Sequence, residues 1–287
     1  MHAGMLYFKE NAEKRTQGVL EIQLFPAALL GTPEDYIEQA AVGSNILGFT
    51  DAGRLGPYVP DFAVIGGSYL VNNFEELAKM WDTQTYKELG REFEKHNLKF
   101  LAFRWYEGQR NVFSKKKATT PAEMKGIMMR SSGSEIVSEY VRCLGANPVV
   151  VAMSEVYSAL QQGVVDAVEQ SYSGALGASV HEQAKYIIGT RHVYHTTGPV
   201  TSLKWWNALP KEYQVIVDEE LNKGADVCNK ATLETEEKNK QSLIAAGMEY
   251  VEVNVEVFRK NSMPLYEKLK LKEIYNKFMK EMGKPTI

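Results

Sequence analysis

Residues 127–152, IMMRSSGSEIVSEYVRCLGANPVVVA, contain a complete strand–helix–strand pattern. Residues 127–131 and 147–152 are short apolar runs of the kind that form buried strands. Between them, residues 133–145 place apolar side chains at helical spacing and are bounded by two glycines. Strands that alternate with helices are typical of α/β proteins, so this stretch predicts an α/β fold.

The same alternation extends along much of the chain. Residues 19–25, VLEIQLF, alternate apolar and polar side chains as a half-buried strand does. Residues 31–43 predict a helix that Thr32 caps, with Asp35 placed where a capping-box acid lies. Repetition of such units predicts a mainly parallel sheet.

The pattern changes after residue 209. Residues 210–247 predict one long helix, which at 1.5 Å per residue would extend on the order of 55 Å. That length exceeds the width of a small domain, so we expect the helix to bridge two α/β lobes. We place lobe I at residues 1–107 plus 196–235, and lobe II with the closing helices at residues 108–195 plus 236–287.

Composition excludes several classes of protein. The 287 residues carry a net charge of −3, and lysine and arginine are spread along the chain, which argues against a nucleic-acid partner. The apolar runs are far shorter than the roughly 20 residues of a membrane span. Cys143 and Cys228 belong to no zinc motif; a disulfide between them stays open, although a buried free thiol is the simpler interpretation of Cys143.

Enzyme signatures are missing from the sequence. It contains no GxSxG, HExxH, GxxxxGK[ST] or GxGxxG pattern, and its five histidines form no metal-binding pair at helical spacing. We therefore predict no catalytic residue, no metal and no cofactor. The enzymatic alternative is a carboxylate-processing α/β protein that uses Asp51 or Glu169 as a general base.

Two arginines indicate the kind of ligand. Arg130 directly follows the apolar run GIMM, and Arg110 follows a predicted strand and turn in FLAFRWYEGQ. In open α/β sheets ligands bind beyond the carboxyl ends of strands, and a guanidinium matches the two oxygens of a carboxylate. The alternative is that each arginine pairs with an internal acid, for example Glu107, Glu135 or Glu169.

Residues 120–170 closely resemble the signature region of TRAP-transporter solute-binding proteins. The matching motifs are TPAEMKGIMMR, LGANP and EVYSALQQGVVD, in the order and spacing of that family. Weaker similarity covers nearly the whole chain, including FTDAGRLG and FRWYEGQRNVFS. The resemblance implies a two-lobe periplasmic-binding-protein-like fold that closes on a small organic acid.

The same resemblance implies partners and a location. It indicates a monomeric protein, periplasmic or extracellular after removal of an export signal, that delivers its solute to TRAP membrane permease subunits. A ligand-sensing module that serves a signalling partner is the remaining alternative. Family members normally have a strand before the first helix, so the resemblance also predicts a sheet that is one strand short.

The resemblance assigns candidate ligand-binding residues. Arg130 matches the carboxylate-binding arginine of the family and Arg110 a second arginine of the same pocket. Asp51 matches an acidic position near the ligand in sialic-acid-binding members, and Gln170 replaces an asparagine that many members have. Apart from the resemblance, four further side chains could line the pocket or stack on the ligand, or could instead have core or surface roles: Tyr172, Trp105, Tyr194 and His195.

Overall fold

The computed structural model describes residues 1–26 and 29–287, which form two compact units. Unit 1 comprises Met1–Phe62, Trp81–Glu107 and Thr196–Leu233. Unit 2 comprises Ala63–Met80, Gly108–His195 and Glu234–Ile287. The chain therefore has the two-lobe α/β architecture expected from its sequence.

One segment lies in a different unit from the one predicted. Residues 63–80, placed in lobe I from sequence, belong to unit 2. The backbone amide of Tyr69 donates to the His192 carbonyl at 2.7 Å, and its hydroxyl donates to the Thr190 carbonyl at 2.9 Å. The Tyr266 hydroxyl holds the same segment through the Ser68 carbonyl at 2.8 Å. These contacts join residues more than a hundred positions apart, which local sequence patterns do not reveal.

The described residues form thirteen α-helices and eight β-strands. In chain order the helices are α1 (His2–Arg15), α2 (Pro33–Ala41), α3 (Ala52–Leu55), α4 (Phe74–Asp82), α5 (Gln84–Glu92), α6 (Glu135–Cys143), α7 (Val156–Gln161), α8 (Tyr172–Gly177), α9 (Leu203–Ala208), α10 (Lys211–Ala245), α11 (Val255–Ser262), α12 (Pro264–Lys268) and α13 (Lys272–Glu281). The strands are β1 (Leu47–Asp51), β2 (Leu98–Phe100), β3 (Trp105–Ser114), β4 (Met128–Ser131), β5 (Asn147–Val150), β6 (Ala167–Gln170), β7 (Tyr186–Ser202) and β8 (Glu249–Val251).

Two helices, α2 and α10, lie where the local sequence pattern predicted them. Helix α2 has the predicted capping box, in which the Asp35 amide donates to the Thr32 hydroxyl and the Thr32 amide donates to the Asp35 carboxylate at 2.7 Å. The long helix is also confirmed: α10 has 35 residues, or about 52 Å at 1.5 Å per residue. It buries Leu221 and Ala225 in unit 1 and Leu243 in unit 2.

Strand direction departs from the mainly parallel sheet that we predicted. In unit 2 the order is β3-β6-β4-β5, with β4 parallel to both β5 and β6 but β3 antiparallel to β6. In unit 1, β1 and β2 both pair antiparallel with the second half of β7, whose first half pairs parallel with β8 in unit 2. Parallel neighbours require a crossover connection. Helices α6 and α7 provide it on either side of β5, whereas only turns connect β3 to β4.

Residues 19–25 form no strand, so that prediction is wrong. The alternation is present, because Leu20, Ile22 and Leu24 are half-buried while the residues between them are exposed. Among the described residues, however, the segment has no partner in a β-ladder. Together with Leu47 of β1 it lines a cavity of about 450 Å³ in unit 1. The absent strand that the resemblance implies remains a prediction.

Candidate functional site

Arg130 lies in β4 of unit 2, an interior strand between β5 and β6. Its neighbours across the sheet are Val149 of β5 and Val168 of β6. The side chain is buried, with 4% of the residue exposed, and its Nε–H donates to the Val151 carbonyl at 2.9 Å. This bond orients the plane of the guanidinium near the carboxyl end of β4, where α/β proteins bind ligands.

Arg110 of β3 forms an ion pair with Glu169 of β6, one of the internal acids considered from sequence. Its Nη1 lies 2.9 and 3.0 Å from the two carboxylate oxygens of Glu169. The antiparallel register that pairs Val112 with Glu169 brings these side chains together. We predicted that Arg110 follows a turn, and that prediction is wrong. Strand β3 continues through Gly108, whose φ is +106°, and includes Arg110.

His192 and Tyr140 complete a buried cluster around Glu169. The His192 Nε2 lies 3.6 Å from a Glu169 carboxylate oxygen, and its Nδ1 is 2.9 Å from the Thr190 hydroxyl. The Tyr140 ring lies 5.3 Å from the His192 ring, measured between centroids. Glu169 is only 1% exposed, and His192 is completely buried.

Electrostatics keep the Glu169 carboxylate ionised. Burial alone would raise its pKa, but Arg110 and the neighbouring His192 and Arg130 outweigh burial and lower the pKa to about 2. Burial and the charge of Glu169 raise the pKa of Tyr140 well above its ordinary value. One carboxylate therefore interacts with two guanidiniums, an arrangement suited to an anionic ligand.

Gln170 and Tyr172 follow Glu169 at the end of β6. The Gln170 side chain folds back, so that its carbonyl oxygen accepts from the Ser171 amide at 2.9 Å and it lies against Gly174. Tyr172 is buried in the hydrophobic core of unit 2, edge-to-face with Phe113 at 6.4 Å between centroids. Tyr172 therefore has the core packing that the sequence left open as its alternative.

The remaining predicted residues lie elsewhere. Asp51 belongs to unit 1, where it caps α3 by accepting from the Arg54 amide at 3.1 Å and forms an ion pair with the Arg54 side chain. Trp105 lies in the core of unit 1, edge-to-face with Phe49 at 4.8 Å between centroids. His195, in β7, is half-buried. The structure thus brings together Arg130, Arg110 and the end of β6, while Asp51 and Trp105 belong to the other unit.

Sequence reasoning missed the role of His192. The sequence shows it only as one of five histidines that form no metal-binding pair at helical spacing. One signal was available. Thr190 and His192 are two positions apart in a long, mostly buried strand, so their side chains lie on the same side of the sheet. The partner Glu169 is 23 positions away in sequence, and only the fold joins them.

Other chemistry is not indicated in the part of the chain that the structure describes. No group of three or more histidine, cysteine, aspartate or glutamate side chains there could hold a metal ion. Within residues 1–26 and 29–287, no helix has the length and apolar character needed to cross a bilayer. Cys143 and Cys228 are free thiols, and burial raises the pKa of Cys143 to about 11.

Comparison with known proteins identifies the family. Residues 1–273 match the bacterial extracellular solute-binding proteins, family 7 (DctP). The chain belongs to this family. Family 7 consists of transport solute-binding proteins rather than enzymes, and its relatives are periplasmic.

Individual members of family 7 resemble the chain over most of its length. The C4-dicarboxylate-binding periplasmic protein DctP of Rhodobacter capsulatus is 29% identical over 245 residues, which are 85% of this chain and 73% of the relative. A TRAP periplasmic solute-binding protein of Fusobacterium nucleatum, solved with sn-glycerol-3-phosphate, is 33% identical with a TM-score of 0.93, covering 98% and 92% of the two chains. One from Ochrobacterium anthropi, solved with L-fuconate, is 27% identical with a TM-score of 0.92, covering 97% and 93%.

Proposed function

We propose that this family 7 protein captures a small carboxylate-bearing solute through Arg130 and delivers it to a TRAP membrane permease. The solute classes are sugar acids, hydroxy or keto acids, and dicarboxylates. The observation that carries the proposal is the buried Arg130 guanidinium, oriented by the Val151 carbonyl and adjacent to the Arg110–Glu169 pair.

The energetics favour an arginine that is positioned before the solute arrives. A carboxylate that leaves water loses its hydration and needs strong compensation from the protein. A guanidinium held by a strand and by a backbone carbonyl gives two parallel hydrogen bonds at little cost in side-chain entropy. Burial of Arg130 also removes competing water from that contact.

The solutes of relatives support an anion. L-Fuconate and C4-dicarboxylates carry carboxylates, and sn-glycerol-3-phosphate carries a phosphate. The glycerol phosphate relative is 33% identical to this chain, so phosphate esters are a second solute class to be tested beside the carboxylates. Both groups accept the paired hydrogen bonds of a guanidinium.

The other candidate residues take secondary roles in this proposal. Arg110 contributes positive charge while Glu169 holds it in place. Gln170 favours a solute with hydroxyl groups or an amine, to which its amide can hydrogen-bond. Asp51 belongs to unit 1, where its carboxylate pairs with Arg54, and a contact between Asp51 and the solute remains a prediction. Tyr172 and Trp105 pack in the hydrophobic cores of units 2 and 1, and solute contacts by these two residues and by His195 remain predictions.

Isothermal titration calorimetry on Arg130 variants tests the proposal. We expect Arg130→Ala to lose roughly 2–5 kcal/mol of solute affinity, about 30- to 5,000-fold, because the carboxylate would be left unpaired. Arg130→Lys should also bind poorly, since an ammonium cannot reproduce the paired donors.

Arg142→Ala is the matched control for those variants. Arg142 also lies in unit 2, but its side chain is half exposed and pairs with Glu139 at 3.1 Å. Its removal should leave affinity within about twofold of the unaltered protein, as for most exposed ion pairs. A loss below tenfold in Arg130→Ala would contradict the assignment of Arg130.

Export, delivery and closure complete the proposal. Membership of family 7 supports a periplasmic protein that acts with permease subunits. Reconstituted uptake that requires both this protein and the permease would test delivery. Closure of the protein on its solute stays a prediction, which small-angle scattering with and without solute would check.

A further inference from the structure

Glu169 is a buried carboxylate held from three elements of unit 2. Arg110 of β3 donates to both of its oxygens, His192 of β7 lies 3.6 Å away, and Tyr140 of α6 lies within its electrostatic influence. With 1% of the residue exposed, Glu169 cannot turn toward solvent without breaking these contacts. Its negative charge is therefore fixed in position.

This charge is close enough to Arg130 to interact with it. Arg130 pairs across the sheet with Val168, the residue directly before Glu169, and its charge acts on the Glu169 carboxylate. A buried ion pair contributes little net stability compared with apolar side chains of similar size. The Arg110–Glu169 pair therefore calls for an explanation other than stability.

We infer that Glu169 determines which solute charge the protein accepts, disfavouring dianionic solutes relative to monoanionic ones. This inference rests on the proposed function, because it requires an anionic solute at Arg130. The solute class that the protein would favour is a monoanion such as an aldonate or a uronate.

The physical basis is that electrostatic repulsion grows with the charge of the solute. A fixed carboxylate repels a dianion about twice as strongly as a monoanion in the same place. At about 7 Å and an effective dielectric constant of about 20, each additional solute charge costs affinity on the order of tenfold or more. A purely structural Glu169 would affect both solutes equally.

The test compares two solutes with one carbon skeleton. L-Galactonate has one carboxylate, and galactarate has a second carboxylate in place of the terminal hydroxymethyl group. All of these carboxylates are ionised at neutral pH, so the two solutes are a monoanion and a dianion. Calorimetry at fixed ionic strength would measure both affinities in the unaltered protein and in Glu169→Gln. We expect Glu169→Gln to shift the affinity ratio toward galactarate by at least about tenfold.

Two further variants make the outcome decisive. Glu139→Gln is the matched control, because Glu139 is also buried in unit 2 but pairs with Arg142 and Lys268. It should leave the ratio unchanged. Arg110→Gln removes a positive charge from the cluster and should shift the ratio toward galactonate, which keeps the test informative if Glu169→Gln does not fold.

Failure of the inference differs from failure of the proposed function. If Glu169→Gln, or Arg110→Gln in its place, changes both affinities by the same factor, the inference is overturned while the proposed function stands. If the unaltered protein binds galactonate, galactarate and glycerol 3-phosphate no better than Arg130→Ala does, both are overturned.

Discussion

Folding lowers the pKa of both Glu169 and His192 below the ordinary value of each group. Arg110, with His192 and Arg130, lowers the pKa of Glu169 from 4.5 to about 2 despite burial. Burial lowers the pKa of His192 below 6.5, and the opposing effect of Glu169 does not cancel it. In both cases the unfolded chain binds a proton at a higher pH than the folded chain does.

Acid should therefore destabilise the protein in two steps. As the pH falls below about 6.5, the unfolded chain protonates His192 while the folded chain keeps it neutral, so the free energy of unfolding decreases. Below 4.5, protonation of Glu169 in the unfolded chain adds a second loss, which continues toward pH 2. Each proton contributes at most about 1.4 kcal/mol per pH unit.

A His192→Gln variant isolates the first step. Urea denaturation between pH 5 and 8 should give a shallower decline in its free energy of unfolding below pH 6.5 than in the unaltered protein. The comparison uses slopes, because the substitution also changes stability at neutral pH. His2→Gln, at an exposed residue, should keep the original slope. Equal slopes in all three proteins would show that His192 binds its proton at the same pH in the folded and unfolded chains, which contradicts the lowered pKa.

At the scale of elements, the turn between α6 and β5 fixes the geometry beside Arg130. Helix α6 ends in hydrogen bonds from the Gly145 amide to the Arg142 carbonyl and from the Ala146 amide to the Val141 carbonyl. Gly145 has a φ of +99°, and a Cβ there would lie 2.0 Å from the Pro121 carbonyl oxygen. Glycine is therefore required at position 145 for two reasons: the positive φ, and the close approach of the Pro121 backbone.

Gly145→Ala should be strongly destabilising. The left-handed conformation costs an alanine roughly 1–2 kcal/mol, and the contact with Pro121 forces the backbone to move in addition. Gly163→Ala separates the two effects, because Gly163 has a φ of +78° but no neighbouring atom within 4 Å of the added Cβ. Chemical denaturation should therefore show a loss for Gly145→Ala that exceeds that for Gly163→Ala by about 1 kcal/mol or more. Equal losses would mean that the turn relaxes freely.

On the scale of the whole molecule, each unit has its own hydrophobic core. Trp105 and Leu221 lie in the core of unit 1, and Phe113 and Leu243 in that of unit 2. Helix α10 contributes to both cores, through its first part in unit 1 and its last part in unit 2. A solute bound by the folded chain alone should stabilise the protein as its concentration rises.

Thermal unfolding with a panel of organic acids and phosphate esters should identify that solute. At 100 times its dissociation constant, a solute adds about 2.7 kcal/mol to the free energy of unfolding, which raises Tm by several degrees. The same solute should produce a much smaller shift in Arg130→Ala, because its affinity for that variant is at least about 30-fold lower. A solute that stabilises both proteins equally would bind somewhere other than Arg130.

Sequence alone determined the features that depend on neighbouring residues. The capping box at Thr32 and Asp35, helix α6 between β4 and β5, and the 35-residue helix α10 follow from side-chain patterns and hydrogen bonds that are local in the chain. Arg130 was located at the end of a buried strand for the same reason. The family motifs around it were sufficient to indicate solute binding.

Tertiary structure decided which distant residues meet. Residues 19–25 have the alternation of a strand, but a strand also needs a partner across a ladder, which their own sequence cannot supply. Arg110 has Glu169, 59 positions away, as its ion-pair partner only because β3 and β6 run antiparallel in one register. Local patterns fix local hydrogen bonds, whereas pairing between strands and the burial of charges depend on how the whole chain packs.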